Sequence, residues 1–400
     1  MKIKPPALEY SVGMELYKSN TEGIGGKIKQ IPEDFLVEEI MPDGRVLELD
    51  KGVRFNEGER REYLHFTLQK YNWDTIRAIR VISNRLNVGK KRFGFAGTKD
   101  KRALTTQRVS VWNVSPEELR RVRIKDMTLR DFSYSDERIT LGDLRGNRFT
   151  IVIRNLGLDD GTLRERINSV LNELNGEIPN FFGVQRFGTI RPITHLVGRE
   201  ILKRNFKGAV MTYLADIYGG ESEESREARK FLSETEDFQE ALRRFPKHLG
   251  YELAMLNSLA KTPTDFIGAL RRLPKKLRWM FVHAYQAYVF NKALSRYIRE
   301  GAETEKLPLA GYEIKLDEIT SRILESEKIS QENFKISEMP ELSSGGVYRD
   351  CFMDVKGFEI LDIDKDELSE GKKKVTIRFS LSKGCYTTTV LREMMKNEYW

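Results

Sequence analysis

The chain has little of what several common protein classes require, and each shortage excludes one of them. Only two of its 400 residues are cysteines, Cys351 and Cys385, which is too few for a disulfide framework and favours a reducing interior. No apolar run approaches the roughly eighteen residues of a membrane span. The N-terminal residues lack the apolar core of a signal peptide. We therefore expect a cytoplasmic protein with no membrane association.

The sequence also lacks the patterns that hold metals and nucleotide cofactors. It contains no cysteine and histidine cluster with ligand spacing, no Walker loop, and no Gly-x-Gly-x-x-Gly that follows a strand. The glycine-rich run at residues 23–26 is not followed by a strand-loop-helix pattern, so it predicts a flexible turn. We expect neither a metal nor a cofactor.

Charge is what the chain has in abundance. Charged residues make up 32% of the sequence and hydrophobic residues 40%, which is typical of a globular protein. The formal net charge is +8, and this basic excess fits an anionic partner. A length of 400 residues suggests two domains, each with its own core.

Hydrophobic periodicity predicts both strands and helices. Alternation of apolar and polar residues predicts strands at 62–69 and 374–381. Helical spacing predicts helices at 73–86 and 277–300. The run Ser-Pro-Glu-Glu at 115–118 is a capping box with proline at the first helical position, which predicts a helix start.

One acidic residue, Asp100, stands among cations between two predicted strands. Residues 92–107 read RFGFAGTKDKRALTTQ, and Val109 and Val111 then alternate with polar neighbours. The cations around the carboxylate are Lys99, Lys101 and Arg102. The loop could be a solvated turn. The alternative is an ionised aspartate held in a positive field, with cations that bind the phosphates of a polyanion.

Two further stretches carry polar residues whose role the residues alone leave open. Lys29 precedes a Pro-Glu-Asp turn and an extended segment, where the residues alone favour an edge-strand lysine over a functional one. Residues 179–188 read PNFFGVQRFG, an aromatic loop punctuated by glycine. A packed corner of the core is the commoner explanation for such a loop, and a binding site is the alternative.

The run FAGTKDKRALTTQ resembles the signature of the TruD family of tRNA pseudouridine synthases. In that family the aspartate of the Gly-x-Lys-Asp-Lys/Arg segment is the catalytic residue, and here this position is Asp100. Four further segments are similar to the same family in the same order. They lie at residues 29–39, 144–149, 180–188 and 379–393. In the last of them Thr387 stands where alanine is usual.

The resemblance implies roles for individual residues. Lys29 would be the basic residue at the active site, which could hold Asp100 ionised or stabilise the detached uracilate. Phe182 would stack on the target base, and Asn180 would shape the pocket around it. Further residues expected near the substrate are Gln185 and Arg186, with Lys99, Lys101 and Arg102 on backbone phosphates.

The resemblance also implies the fold and its division. We expect an α+β fold, with a pseudouridine-synthase catalytic domain built on a mixed, mainly antiparallel sheet flanked by helices, plus an inserted helix-rich domain. The catalytic domain would comprise residues 1–193 and 345–400. The inserted domain would comprise residues 194–344.

The expected activity is isomerisation of uridine to pseudouridine at position 13 of the tRNA D-arm, through Asp100 acting on a flipped-out base. The expected partner is tRNA, bound by a monomer that needs no obligate protein partner. The alternative is a non-catalytic RNA-binding protein on the same scaffold. A hydrolase would need paired carboxylates or a metal, and a methyltransferase a glycine-rich cofactor loop; neither pattern is evident.

Overall fold

The structure is a computed structural model that describes residues 3–302 and 304–397. Its contacts divide the chain into two compact units. The sheet unit comprises Ser19–Ile178 and Met353–Trp400, and the helical unit comprises Met1–Lys18 and Pro179–Phe352. The boundaries of these units differ from those predicted for the domains, which are 1–193 with 345–400 and 194–344. The predicted domain boundaries stay a prediction. Within the described residues, no helix has the length and apolar character to cross a membrane.

The strands and helices alternate in the first part of the chain and helices dominate the middle. The strands are β1 (Phe35–Ile40), β2 (Tyr63–Tyr71), β3 (Phe93–Phe95), β4 (Leu104–Trp112), β5 (Met127–Ser135), β6 (Gly146–Leu156), β7 (Glu177–Pro179), β8 (Lys306–Leu309), β9 (Val347–Asp350), β10 (Phe352–Asp354), β11 (Lys356–Lys365) and β12 (Lys373–Ser382). The helices are α1 (Ala7–Ser11), α2 (Thr75–Arg85), α3 (Pro116–Arg121), α4 (Asp160–Leu174), α5 (Thr194–Leu202), α6 (Phe206–Ala215), α7 (Glu223–Thr235), α8 (Phe238–Arg244), α9 (Gly250–Leu259), α10 (Phe266–Arg271), α11 (Lys275–Glu300), α12 (Glu318–Ser326) and α13 (Thr387–Met395).

The sheet unit is built on one eight-stranded sheet in the order β11-β12-β6-β1-β4-β2-β5, with β3 paired to β4. Its pairings are antiparallel except for that of β1 with β4, which is parallel and sets Leu36 opposite Leu104. Helices flank this sheet and fill the helical unit. The predicted α+β fold with a mixed, mainly antiparallel sheet is therefore confirmed.

Alternating side chains and helical faces form the cores of the sheet unit. The burial of β12 alternates along the strand, with Val375, Ile377, Phe379 and Leu381 inward. These residues share a core with the apolar sides of α4 and α13. A second core joins α2 to β2, β3 and β4. The apolar faces of these strands and helices are thus buried, and the burial of apolar surface is the main source of their stability.

The elements predicted from periodicity and capping are confirmed with small changes at their ends. The strand predicted at 62–69 is β2, and the helix predicted at 73–86 is α2, whose N-cap Asp74 accepts a hydrogen bond from the Arg77 amide. The capping box at 115–118 starts α3. The helix predicted at 277–300 is α11, which begins two residues earlier, at Lys275, directly after a proline.

The helical unit is organised around α11, which is buried on several sides along most of its length. Helix α5 packs on it at one very close point. A Cβ added at Gly198 would lie 2.0 Å from the carbonyl oxygen of Phe281, so only glycine permits this approach.

We predict that Gly198→Ala destabilises the protein by roughly 1–3 kcal/mol, because the added methyl group must push α5 away from α11. A lowered midpoint of thermal unfolding would show this. The matched control is Gly250→Ala at the first residue of α9, where an added Cβ meets nothing within 4 Å. Equal midpoints for the two variants would contradict the prediction.

Candidate active site

The two residues predicted at the active site in the sheet unit form an ion pair. The Lys29 Nζ lies 3.0 Å from Oδ1 of Asp100. The Asp100 side chain is 47% exposed, whereas that of Lys29 is 23% exposed. The ammonium also lies 3.9 Å from the ring centre of Phe35, a cation–π contact that fixes it further. The result is a carboxylate open to solvent beside one immobilised cation.

The parallel pairing of β1 with β4 explains this encounter. Parallel neighbours start at the same edge of a sheet, so the segments that precede β1 and β4 lie side by side. Lys29 belongs to the first segment and Asp100 to the second. Residues separated by 71 positions in sequence thereby come within hydrogen-bond distance.

The Lys29 segment is held by a buried carboxylate, Asp34. Its Oδ2 accepts hydrogen bonds from the backbone amides of Gln30 and Ile31, at 2.9 Å and 3.1 Å. Its Oδ1 accepts one from Nε of Arg154 at 2.7 Å. The same guanidinium reaches Asp366 at 2.9 Å. This network fixes the backbone at Lys29, which adopts the left-handed conformation with φ 54°.

Lys70, a fully buried residue of β2, supports the loop that carries Asp100. Its Nζ donates to the carbonyl oxygens of Trp73 at 2.6 Å and of Asp100 at 2.9 Å, and it lies 3.4 Å from that of Lys99. Burial lowers the pKa of the Lys70 amine to about 8, a shift that the charges of Asp100 and Asp74 oppose. The amine is therefore charged below about pH 8 and donates to the backbone of the catalytic candidate itself.

Two more buried side chains complete this support. The Lys99 amide donates to Oγ1 of Thr75 at 3.0 Å, and this hydroxyl donates to Oε1 of Gln107 at 3.0 Å. Nε2 of Gln107 then donates to the carbonyl oxygen of Gly97 at 3.1 Å. The loop is thus tied to the start of α2 and to β4.

The side chain of Lys99 points into the interior. It is 5% exposed and forms an ion pair of 2.6 Å with Glu39, whose other oxygen accepts the Arg108 amide at 2.9 Å. Lys101 and Arg102, by contrast, are exposed, and Arg102 also donates to the carbonyl oxygen of Gln30. The cations that face solvent on this loop are therefore those two.

The predicted stacking residue Phe182 belongs to the helical unit and is only 3% exposed. Its ring packs edge-on against Phe290, with ring centres 5.6 Å apart. The Arg349 guanidinium lies 4.1 Å from the centre of the same ring. Arg349 also donates to Oδ1 of Asn180 at 2.5 Å, so one arginine connects the two predicted pocket residues.

Asn180, Gln185 and Arg186 lie in the same loop of the helical unit as Phe182. The Asn180 amide nitrogen Nδ2 donates to the carbonyl oxygen of Asp350 at 3.0 Å. Gln185 is exposed, and Arg186 is half-buried with its guanidinium 5.5 Å from the Phe182 ring centre.

Asn291, on α11, holds the backbone of Phe182 from both sides. Its Oδ1 accepts the Phe182 amide at 2.9 Å, and its Nδ2 donates to the Phe182 carbonyl oxygen at 2.9 Å. The same amide reaches the carbonyl oxygen of Val12 at 2.9 Å. The sequence signal for this role is that Asn291 stands among mostly apolar residues of the predicted inner helix face, where a buried amide must find hydrogen-bond partners.

The predicted residues thus fall into two groups, one in each unit. Lys29 and Asp100 meet in the sheet unit, with Lys101 and Arg102 on the same loop. The residues grouped in the helical unit are Asn180, Phe182, Gln185 and Arg186. Sequence reasoning missed the supporting residues Lys70, Thr75, Gln107, Asn291 and Arg349. In the described parts of the chain, no group of three or more His, Cys, Asp or Glu could hold a metal ion.

Comparisons with known proteins identify the family of this chain. The family model described as "tRNA pseudouridine synthase D (TruD)" matches residues 11–307 and 298–394. A relative from Methanosarcina acetivorans, named "Probable tRNA pseudouridine synthase D", is 38% identical over 98% of each chain. A relative of the same name from Methanopyrus kandleri is 42% identical over 85% of this chain and 87% of its own.

A solved structure is similar over almost the whole chain. A crystal structure that carries the TruD name, from Methanosarcina mazei, superposes with a TM-score of 0.85 at 36% identity. The match covers 98% of this chain and 99% of that one. The chain belongs to the TruD family of tRNA pseudouridine synthases.

We predict that Lys70→Met loosens the loop at residues 96–103, because the carbonyl oxygens of Asp100 and Trp73 lose a charged donor. Two such bonds together are worth roughly 2 kcal/mol or more, which corresponds to hydrogen exchange of the loop amides faster by on the order of 30-fold. Exchange measured by mass spectrometry is the test. We choose a local readout instead of global stability. Removing a buried charge also removes its desolvation cost, which offsets the lost hydrogen bonds in the free energy of unfolding.

The matched control is Lys101→Met on the same loop, where an exposed ammonium is removed. Its loop amides should exchange at the wild-type rate. Wild-type protection in Lys70→Met would show that the amine does not hold the loop.

Proposed function

We propose that this protein isomerises uridine to pseudouridine at position 13 of the tRNA D-arm, with Asp100 as the catalytic residue. The observation that supports this most is the Lys29–Asp100 ion pair of 3.0 Å, since by the motif resemblance Asp100 corresponds to the catalytic aspartate of the family. We further propose that the protein acts as a cytoplasmic monomer on tRNA.

The reaction breaks the N1–C1′ bond of the nucleotide and joins C5 of the rotated uracil to C1′. The proton on C5 leaves to solvent and N1 gains one, so no redox partner or second substrate enters the balance. The detached uracil carries negative charge between these steps. Lys29, held by Phe35 and Asp34, is a fixed cation that can stabilise this charge without reorganising.

Asp100 supplies the reacting carboxylate. Three chemistries are open to it, namely attack at C1′, addition to C6 and removal of the C2′ proton. All three require a carboxylate that is exposed, charged and fixed in place. The half-exposed side chain meets the first requirement, the ion pair with Lys29 matches the second, and Lys70 beneath the loop serves the third.

The target base must leave its stack, at a cost of a few kcal/mol. Phe182 can offset about 1–3 kcal/mol of this by stacking on the base, and Asn180 shapes the pocket that receives it. Because Arg349 lies over the Phe182 ring in this structure, stacking on that ring face requires that the guanidinium moves aside. This part of the proposal rests on the family resemblance and on the tethering of Phe182 by Asn291.

The exposed cations Lys101 and Arg102 are proposed to contact backbone phosphates, which position the RNA without reading its sequence. Gln185 and Arg186 are proposed to lie near the substrate. We do not assign a phosphate contact to Lys99, because its ammonium is buried against Glu39.

We predict that Asp100→Asn abolishes release of tritium from C5-labelled uridine in tRNA while tRNA binding is retained, since the amide is isosteric but cannot act as a charged carboxylate. The matched control is Asp362→Asn on β11, an exposed aspartate of the same unit, which should react at the wild-type rate. Tritium release from Asp100→Asn at the wild-type rate would refute the catalytic assignment. A wild-type protein that binds tRNA and forms no pseudouridine would instead support the non-catalytic alternative.

We predict that Phe182→Leu lowers kcat/KM by on the order of 10-fold, because leucine fills the core but offers no ring to the base. Leucine is preferred to alanine here because Phe182 is buried and its truncation would leave a cavity. The matched control is Phe290→Leu, which removes the partner ring of the same contact and should cost similar stability. Equal kcat/KM in the two variants would mean that the loss comes from packing alone.

A further inference from the structure

A recess at the far end of β4 combines an exposed tryptophan with three cations. Its volume is about 270 Å³, and it is lined by Tyr63, Lys91, Arg92, Trp112 and Arg138. Trp112 is 42% exposed, although indole rings are usually well buried. It pairs across the strands with Tyr63, so both side chains project from the same face of the sheet.

Three of the five side chains that line the recess are cations, and none of the five is acidic. The guanidinium of Arg92 lies 5.1 Å from the Trp112 ring centre. Arg138 is fixed by donation to the carbonyl oxygens of Phe93 at 2.6 Å and Lys91 at 3.1 Å. Throughout residues 3–302 and 304–397, no carboxylate lies within ion-pair distance of the Lys91, Arg92 or Arg138 side chains. An exposed ring among unpaired cations is suited to a ligand that has both an aromatic face and negative charge.

We infer that this recess binds one nucleotide of the RNA substrate other than the reacting uridine. The base would stack on Trp112, and the adjoining phosphates would contact Lys91 and Arg92. A volume of about 270 Å³ is below the range of roughly 300–1,000 Å³ that is usual for free small-molecule sites. The inference rests on the proposed function, because that function supplies the RNA.

The position of the recess separates its role from the chemistry. Trp112 ends β4, and the loop that carries Asp100 leads into Leu104 at the other end of the same strand. At about 3.3 Å per residue the two ends are about 26 Å apart. Trp112 is therefore too distant to touch the reacting uridine, whereas a folded tRNA is long enough to occupy both places. Its contribution should be seen in affinity rather than in the rate at saturating RNA.

The test is the binding of a tRNA transcript to the full chain at several salt concentrations. We expect Trp112→Ala to raise the Kd on the order of tenfold and Trp112→Phe, which keeps a ring, to restore most of the affinity. Lys91→Ala should reduce the slope of log K against log salt by about one unit. Its matched control is Lys356→Ala, an exposed lysine on β11 at the opposite edge of the sheet, which should leave the slope unchanged.

Four results would overturn the inference. The first is wild-type affinity in Trp112→Ala, and the second is equal salt slopes for Lys91→Ala and Lys356→Ala. The third is a fall in the rate of Trp112→Ala at saturating RNA without loss of affinity. The fourth is quenching of Trp112 fluorescence by free uridine or guanosine monophosphate as strong as that by tRNA. The last would identify a free-nucleotide site. Should Trp112→Ala fail to fold, Trp112→Leu and Lys91→Ala carry the test.

Binding and catalysis are read separately in this design. A weakened tRNA complex in Trp112→Ala supports the recess as an RNA contact whether or not product forms. Formation of pseudouridine by the wild type decides the proposed function.

Discussion

The single parallel pairing in the sheet, between β1 and β4, is the constraint on which the candidate active site depends. It makes two distant segments enter the sheet at one edge, so that Lys29 and Asp100 meet. An antiparallel arrangement of the same strands would put the two loops at opposite ends. The remaining strands of the sheet and the helices that cover it hold this one pairing in register.

Around the pair, the protein buries several charges that would be costly without partners. Arg154 bridges Asp34 and Asp366, and Lys99 pairs with Glu39. Lys70 instead donates to backbone carbonyl oxygens, and its burial lowers the pKa of its amine to about 8. These interactions fix backbone rather than reacting atoms, and they leave Asp100 as the exposed carboxylate of a rigid loop.

The motifs selected Asp100 and Lys29 from short, recognisable segments, and the structure brings these two residues together. Periodicity predicted β2, α2 and α11. It did not reveal Lys70, although the signal was present. In β2 the inward positions are Leu64, Phe66 and Leu68, and Lys70 continues that row where an apolar residue is expected. A lysine at an inward position implies a buried acceptor, but which acceptor depends on tertiary contacts with a loop that lies about thirty residues further along the chain.

Local sequence also could not distinguish the environments of neighbouring cations. Lys99 and Lys101 flank the same aspartate, yet one is buried against Glu39 and the other faces solvent. Local sequence could not predict the burial of Phe182 under Arg349 either, because this contact joins residues far apart in the chain.

The order in which the sheet is completed has a consequence for synthesis on the ribosome. Strand β12 lies between β6 and β11, and it pairs Val375 with Ile153. The inner strand β6 therefore keeps one edge unpaired while roughly two hundred further residues are translated, and such long-range pairing is slow. An uncovered edge invites pairing with other nascent chains. We therefore expect a chain truncated before β12 to aggregate, because it loses the strand that covers β6 as well as its last helix.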